Sequence, residues 1–120
     1  MTGFGEALQR VAARVPETRM LVVMATDGIP IEKLVVRPDP DLEAVAAEYT
    51  TLLRASATTA SDTGLGDLHE LSVVTEKMTA VIVAITPEYY LFASLAPGAL
   101  LGRARFALRL ATLALEKEFE

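Results

Sequence analysis

The stretch MLVVMATDGIPIEKLVV, residues 20–36, decides the fold of this chain. Its opening run, MLVVMA, is continuously apolar, which is typical of a strand buried on both faces of a sheet. Asp27 and Gly28 form a turn signal, because aspartate bonds to its own backbone and glycine reaches positive φ. The chain then returns as a second strand, Ile29 to Val36. Pro30 cannot donate to a ladder, which places this second strand at a sheet edge.

Helical and strand-like segments flank this hairpin in a fixed order. Helical spacing predicts a first helix that Thr2 caps and Pro16 ends, and two longer helices, about Leu42 to Ala60 and about Ala99 to Glu118. Further strands are predicted at Leu68 to Glu76, Met78 to Ile85 and Tyr90 to Leu95. We therefore expect one domain over residues 1–120, of class α/β (α+β) and order α-β-β-α-β-β-β-α, with helices covering a central sheet.

Composition narrows the classes of function. The formal net charge is −5, which argues against nucleic acid and against an anionic membrane surface as partners, because both require clustered Lys and Arg. The absence of cysteine excludes disulfides and thiolate chemistry. The chain shows neither a signal peptide nor a transmembrane run, so we expect a cytoplasmic protein. With 52% apolar residues and 22% charged ones, the surface has little polar cover, which indicates a partner. An Ala-rich sequence that inflates the apolar count is the alternative.

The middle helix carries apolar or small residues on two sides. Its core face is predicted to comprise Leu42, Val45, Ala46, Tyr49, Leu52, Leu53 and Ser56. The opposite side holds small uncharged residues at helical spacing: Ala44, Ala47, Thr51, Ala55 and Thr58. Small side chains let two helix backbones approach closely, so this stripe indicates a homodimer seam between two copies of the helix. An ordinary Ala- and Thr-rich surface is the alternative.

The final helix shows a similar surplus of apolar residues. Its core stripe is predicted to be Leu101, Ala104, Leu108, Ala111, Leu115 and Phe119. A second stripe consists of Phe106, Leu110 and Leu113, and Arg105, Arg109 and Glu116 line the gap between the two. Because helices that are apolar nearly all round are usually buried, we expect this helix to lie in a groove between the sheet and the first helix. A partner-binding surface is the alternative.

No stretch of the chain specifies a reaction. His69, Ser72 and Asp67 resemble a catalytic triad on paper, but residues 69 and 72 of a strand point to opposite faces. The sequence lacks the His and Cys density of a metal site. The Gly64-Leu65-Gly66 segment lacks the GxxxxGK[ST] pattern of a phosphate cradle. We therefore expect no enzyme activity, no catalytic residue, no metal and no cofactor.

Three short motifs give the chain its resemblance to the Roadblock/LC7 family. They are Asp27-Gly28 followed by Ile29-Pro30-Ile31, the segment Leu68-His69-Glu70-Leu71, and Leu100-Leu101-Gly102-Arg103-Ala104-Arg105 with its LG-x-x-R pattern. The resemblance implies a five-stranded antiparallel sheet with the middle helix on one face and the first and last helices on the other. It also implies a homodimer, or a heterodimer with a paralogue, in which third strands pair across the two-fold axis and middle helices pack together. Leu71 and Val73 of the third strand then join the interface.

Bacterial members of this family are similar to regulators of Ras-like small GTPases, which gives the first functional hypothesis. Exposed residues of the middle helix are then expected to contact the GTPase: Glu43, Ala47, Thr50 and Arg54. A structural adaptor or scaffold in a signalling, polarity or motility complex is the second hypothesis, because fold alone does not decide function. A small-molecule sensor ranks last, since strands of large residues are expected to leave no cavity.

Overall fold

A computed structural model describes residues 3–39 and 41–120 of the chain. Three helices and five strands follow in the predicted order: α1 (Gly3–Arg14), β1 (Thr18–Ala25), β2 (Pro30–Val35), α2 (Leu42–Asp62), β3 (Glu70–Val74), β4 (Thr79–Thr86), β5 (Tyr89–Leu95) and α3 (Leu101–Glu116). A short 3-10 turn, Lys117–Phe119, follows α3. Thr2, the predicted cap of the first helix, lies outside the described residues.

The five strands form one antiparallel sheet in the order β2-β1-β5-β4-β3. The continuous apolar runs occupy the three central positions, β1, β5 and β4, where both faces of a strand are covered. The less apolar strands lie at the two edges. The predicted class is confirmed, as is the antiparallel sheet that the family resemblance implies. Position in the sheet agrees with apolar character, because a central strand buries both of its faces.

The first hairpin joins β1 to the edge strand β2 as predicted. The Oδ1 atom of Asp27 accepts a hydrogen bond from the Ile29 amide at 3.1 Å, which fixes the turn. Gly28 takes φ +94°, a conformation that L side chains rarely adopt. Pro30 pairs with Met24 at a register shift, at the start of an exposed edge strand. Strand β2 therefore begins one residue later than predicted and ends one residue earlier.

Helices α1 and α3 cover one face of the sheet. Their buried residues interlock with alternate residues of the central strands, such as Leu21, Leu91 and Val81. Ala104, Leu108, Ala111 and Leu115 of α3 are buried as predicted. Helix α3 begins later than predicted because Gly98, at φ +83°, keeps the preceding segment in a turn.

Helix α2 alone covers the other face, where large residues such as Met20, Tyr90 and Phe92 support it. The predicted core face is confirmed at Leu42, Ala46 and Leu53, which are buried. Two predictions on this helix are wrong: Leu52 is 41% exposed, whereas Thr50 is only 2% exposed. The buried face is rotated toward Thr50 because the Tyr90 side chain of β5 reaches the helix there.

The edge strand β3 is shorter than predicted, and His69 lies in the segment just before it rather than within it. A turn closes β3 onto β4, with the Thr75 amide bonded to the Met78 carbonyl at 2.9 Å.

None of the helices in residues 3–39 and 41–120 combines the length and apolar character needed to cross a lipid bilayer.

Candidate functional site

The outer face of α2 is the first candidate interaction surface. The helix begins after the Asp39 side chain accepts a hydrogen bond from the Asp41 amide at 3.0 Å, and Glu43 lies in its first turn. It ends where the Leu65 amide bonds to the Ala60 carbonyl at 2.8 Å, beside Gly64 at positive φ. All five residues of the predicted seam are exposed on this helix: Ala44, Ala47, Thr51, Ala55 and Thr58.

Strand β3 provides a second element of this surface. Leu71 and Val73 point toward the α2 layer and are partly buried there. Within the part of the chain that the structure describes, β3 pairs with β4 alone, so its outer edge has free backbone groups. Such an edge is a template for pairing with another strand. The small-residue stripe of α2 and this free edge thus belong to one layer of the molecule.

The predicted GTPase-contact residues divide into three exposed residues and one buried residue. Glu43 forms an ion pair with Lys33 of β2, and Ala47 lies beside the same strand. Together with Ile31, these residues line a groove of about 410 Å³ between α2 and β2. Arg54 is exposed further along the helix, where its guanidinium donates to the Thr26 carbonyl at 3.0 Å.

Thr50 is the exception, and the prediction that it is exposed is wrong. Its hydroxyl donates to the Ala46 carbonyl at 3.2 Å, which leaves the oxygen free to accept from the Tyr90 hydroxyl. The sulfur of Met24 lies 3.6 Å from the same Tyr90 hydroxyl. Burial is the main reason that the pKa of Tyr90 is raised above its ordinary value of 10.0, although the Thr50 hydrogen bond and Arg54 oppose the rise. Thr50 therefore lies on the buried face of α2, where it joins the helix to β5.

The outer face of α3 carries a second apolar surface. Phe106 and Leu113 are each 62% exposed and Leu110 is 39% exposed, so the predicted burial of this stripe is wrong. The reason is that α1 packs to the side of α3, against Ala107 and Ala111, and leaves the outward stripe open. A partner-binding surface, the alternative interpretation of this stripe, remains a prediction.

A charged cluster joins this helix to β3. Glu70, whose side chain is only 13% exposed, forms an ion pair with Arg105 (Nε to Oε2, 2.6 Å) and accepts a hydrogen bond from Arg109 Nη2 at 3.4 Å. Ser72 Oγ lies 3.4 Å from the same carboxylate. Sequence reasoning placed Arg105 and Arg109 in a polar gap but did not find Glu70 as their partner. The strand alternation of Glu70 and Ser72 is the signal that places both on the α3 side.

The residues of the rejected triad do not meet. His69 and Asp67 line a cleft of about 290 Å³ between the C-terminal half of α2 and the ends of β4 and β5, on the opposite side of the sheet from the Ser72 hydroxyl. The expectation that the strands leave no cavity is wrong, because Ala57 and Ala84 contribute only small side chains there. Across residues 3–39 and 41–120, the structure contains no group of three His, Cys, Asp or Glu side chains that could hold a metal ion.

Comparison with known proteins identifies the family. Residues 4–94 match the model of the Roadblock/LC7 domain, and this protein belongs to the Roadblock/LC7 family. Roadblock/LC7 domains are regulatory or adaptor domains and are not typical enzymes. The resemblance inferred from the three motifs is thereby confirmed. No curated protein matches the sequence.

Solved structures show the same fold. A Roadblock/LC7 domain from Streptomyces avermitilis is 16% identical, with a TM-score of 0.85 over 98% of each chain. MglB from Myxococcus xanthus is 15% identical, with a TM-score of 0.87 over 99% of this chain and 96% of that chain. MglC from Myxococcus xanthus is 28% identical, with a TM-score of 0.72 over 98% of this chain and 99% of that chain. The identity is therefore higher for MglC, whereas the backbone agreement is better for MglB.

Proposed function

We propose that this chain acts as one Roadblock/LC7 domain that forms a homodimer and regulates a Ras-like small GTPase, without catalytic residues of its own. The observation that carries the dimer is the exposed stripe of small residues on α2, in the same layer as the free edge of β3, and membership of the Roadblock/LC7 family supports the regulatory role. A solvated stripe would more often carry charged residues, whereas Ala44, Thr51 and Ala55 let a second helix approach closely.

The proposed dimer uses both elements at once. Two β3 edges pair across a two-fold axis, which satisfies the free backbone groups of each strand. Two α2 helices then meet above the joined sheets, with Leu71 and Val73 beneath them. Such an interface is isologous, because the same surface of each copy contacts the other. A heterodimer with a paralogue would use the same surfaces.

The proposed GTPase contact lies on the flank of α2 that faces the first hairpin. Glu43, Ala47 and Arg54 are exposed there, and the groove beside β2 adjoins the first two of them. We therefore assign Ala47 to the GTPase contact and the other four stripe residues to the dimer seam. Thr50 is withdrawn from this set because it is buried. The chain need not supply a catalytic group, since ordering the switch loops of a GTPase changes hydrolysis or exchange through the positioning of the GTPase's own residues.

A nucleotide-dependent capture experiment tests this proposal. The purified chain serves as bait in the native lysate, with GDP or with a non-hydrolysable GTP analogue, and bound proteins are identified by mass. We expect a small GTPase to be enriched in one nucleotide state, and the purified dimer to change its hydrolysis or exchange rate. A dimer that binds a GTPase without changing either rate would contradict the regulatory role.

Charge reversal at Glu43 localises the contact. The Glu43→Lys change is expected to weaken GTPase binding, because it reverses a charge at the groove. Lys33→Ala is the matched control, since it breaks the same ion pair and leaves the Glu43 carboxylate in place. Equal effects of the two variants would place the contact elsewhere.

An adaptor is the second candidate function, and the exposed Phe106, Leu110 and Leu113 stripe on α3 favours it. A second surface on the opposite side of the sheet suits a protein that holds two partners at once. Equal capture of the same partners in both nucleotide states, or capture without any GTPase, would support the adaptor instead.

A further inference from the structure

The exposed stripe of α3 has the spacing of a helix-pairing seam. Phe106, Leu110 and Leu113 follow one another at four and three residues, which is the alternation of a coiled-coil seam. The opposite face of the same helix is fixed in the core through Ala104, Leu108 and other buried residues. The stripe is narrow, and the open length of α3 matches about two turns of a partner helix.

Basic side chains surround this stripe. Arg105 and Arg109 lie along its β3 side, where they share the single carboxylate of Glu70. On the α1 side, Arg10 and Arg14 line a small groove together with Leu110. Glu6 pairs with Arg10, whereas Arg14 forms no ion pair with any described residue.

Arg103 and Glu116 complete the border. Arg103 lies one turn before Phe106 and, like Arg14, forms no ion pair within residues 3–39 and 41–120. Glu116, at the end of the helix, is acidic, as are Glu6 and Glu70, which pair with arginines of the border. Together α1 and α3 contain five arginines against Glu6 and Glu116, in a chain whose net charge is −5. The positive charge is thus concentrated on the helix pair that carries the exposed stripe.

We propose that this surface of α3 docks one amphipathic helix of a partner protein, with Leu- or Ile-type residues along its apolar edge and Glu or Asp along its flanks. The apolar edge covers Phe106, Leu110 and Leu113, and the acidic flanks approach the surrounding arginines. This is the helix-in-groove mode of recognition, in which anchors at helical spacing supply affinity and flanking charges select the partner. The site lies on the opposite side of the sheet from the α2 surface and does not depend on the proposed GTPase.

Charge distinguishes this occupant from two others. A parallel second copy of α3 on the same stripe would bring Arg103, Arg105 and Arg109 close to their own equivalents, and an antiparallel copy would do so for Arg109; like charges at a contact disfavour association. A lipid surface would meet only a narrow stripe on a helix whose other side is fixed in the core, whereas membrane-binding helices bury a broad apolar face. An acidic helix satisfies both the narrow shape and the positive border.

Two synthetic peptides and the full chain test the inference. One peptide is a designed helix with leucine at its seam positions and glutamate at the flanking positions, and the second has lysine in place of each glutamate. Each is labelled and titrated with the full chain, and binding is followed by fluorescence anisotropy. We expect the acidic peptide to bind at least about tenfold more tightly than the basic one, because its glutamates attract the surrounding arginines and the lysines of the basic peptide are repelled by them.

Variants assign the binding to this stripe. The double change Phe106→Ser and Leu113→Ser is expected to weaken binding of the acidic peptide by about tenfold or more, because it removes the two most exposed anchors. Leu65→Ser is the matched control, since Leu65 is 78% exposed but lies in the segment after α2. Arg103→Glu is expected to weaken binding of the acidic peptide and to strengthen binding of the basic peptide. Circular dichroism confirms that each variant is folded.

Three results would overturn the inference. The first is equal affinity for both peptides, or no affinity for either. The second is a loss of binding in the Leu65 control as large as that in the stripe variant. The third is a different occupant: assembly beyond a dimer that Phe106→Ser abolishes, or binding to phosphatidylserine vesicles that the same change abolishes, without selective binding of the acidic peptide.

Discussion

Helices α2 and α3 cover opposite sides of one sheet, and they differ in whether the large side chains lie on the buried face or on the exposed face. Helix α2 rests on large residues, including a Tyr49–Phe92 ring pair at 6.0 Å, and presents small residues such as Thr51 to solvent. Helix α3 buries Ala104 and Ala111 among its leucines and presents Phe106. The size of a hydrophobic side chain on a helix therefore does not tell which side of the helix faces the core.

Because of this difference, the two outer surfaces favour different kinds of partner. Small, uncharged residues on α2 favour close approach of an identical helix. Large residues bordered by arginine on α3 favour a different partner with acidic flanks. The predictions below test this contrast, beginning with the largest expected effect.

The buried and exposed stripes of α3 should differ most in stability. Leu108→Ala, at a side chain with no exposed surface, is expected to lower the free energy of unfolding by about 2–5 kcal/mol, because it removes buried methyl groups and leaves a cavity. Leu113→Ala, at an exposed position, is expected to change it by less than about 0.5 kcal/mol. Urea denaturation at a fixed protein concentration measures both. Similar losses would show that Leu113 is buried in solution.

The hydrogen bond beneath α2 provides the next test. Thr50→Val is expected to cost about 1–3 kcal/mol of unfolding free energy, because it leaves the buried Tyr90 hydroxyl without its oxygen partner. Tyr90→Phe is expected to cost less, about 0.5–1.5 kcal/mol, since Thr50 keeps its bond to Ala46. The same denaturation assay compares them. A larger loss for Tyr90→Phe than for Thr50→Val would contradict this account of the bond.

Hydrophobic spacing in the sequence predicted the order of the helices and strands, whereas the antiparallel sheet with helices on both faces was implied by the family resemblance. The runs of β1, β4 and β5 are apolar on both faces, and the structure places them in the sheet centre. The candidate surfaces were harder to predict. Thr50 is small and polar, so helical spacing could not reveal that Tyr90, distant in sequence, bonds to it. The exposure of Phe106 depends on where α1 packs, which no local pattern specifies.

Ion pairs should contribute less to the free energy of unfolding than the buried Leu108 side chain or the hydrogen bond between Thr50 and Tyr90. Glu70→Gln is expected to lower the unfolding free energy by about 0.5–1 kcal/mol, because the mostly buried carboxylate pairs with two arginines that remain about half exposed. Glu6→Gln, which breaks the exposed pair with Arg10 on α1, is expected to cost less than about 0.5 kcal/mol. Denaturation at low and high salt separates them. No difference between the variants would mean that the Glu70 cluster adds nothing beyond a surface pair.

The smallest expected effect is on the pH dependence of stability. Burial raises the pKa of Tyr90 in the folded chain above 10.0, so the unfolded chain releases this proton first as the pH rises. The stability from Tyr90 is complete below pH 10.0 and is lost as the pH rises through the folded-state pKa. Denaturation at pH about 8 and about 11 should show a smaller gap between wild type and Tyr90→Phe at the higher pH. An unchanged gap would contradict the raised pKa.

Solution mass tests the central contrast between the two surfaces most directly. Multi-angle light scattering is carried out on the wild type, on Thr51→Arg in the α2 stripe, on the matched Thr59→Arg on another side of the same helix, and on Phe106→Ser in α3. We predict the mass of two chains for the wild type, Thr59→Arg and Phe106→Ser, and the mass of one chain for Thr51→Arg. An unaltered mass for Thr51→Arg, or a single-chain mass for Phe106→Ser, would contradict the assignment of self-association to α2.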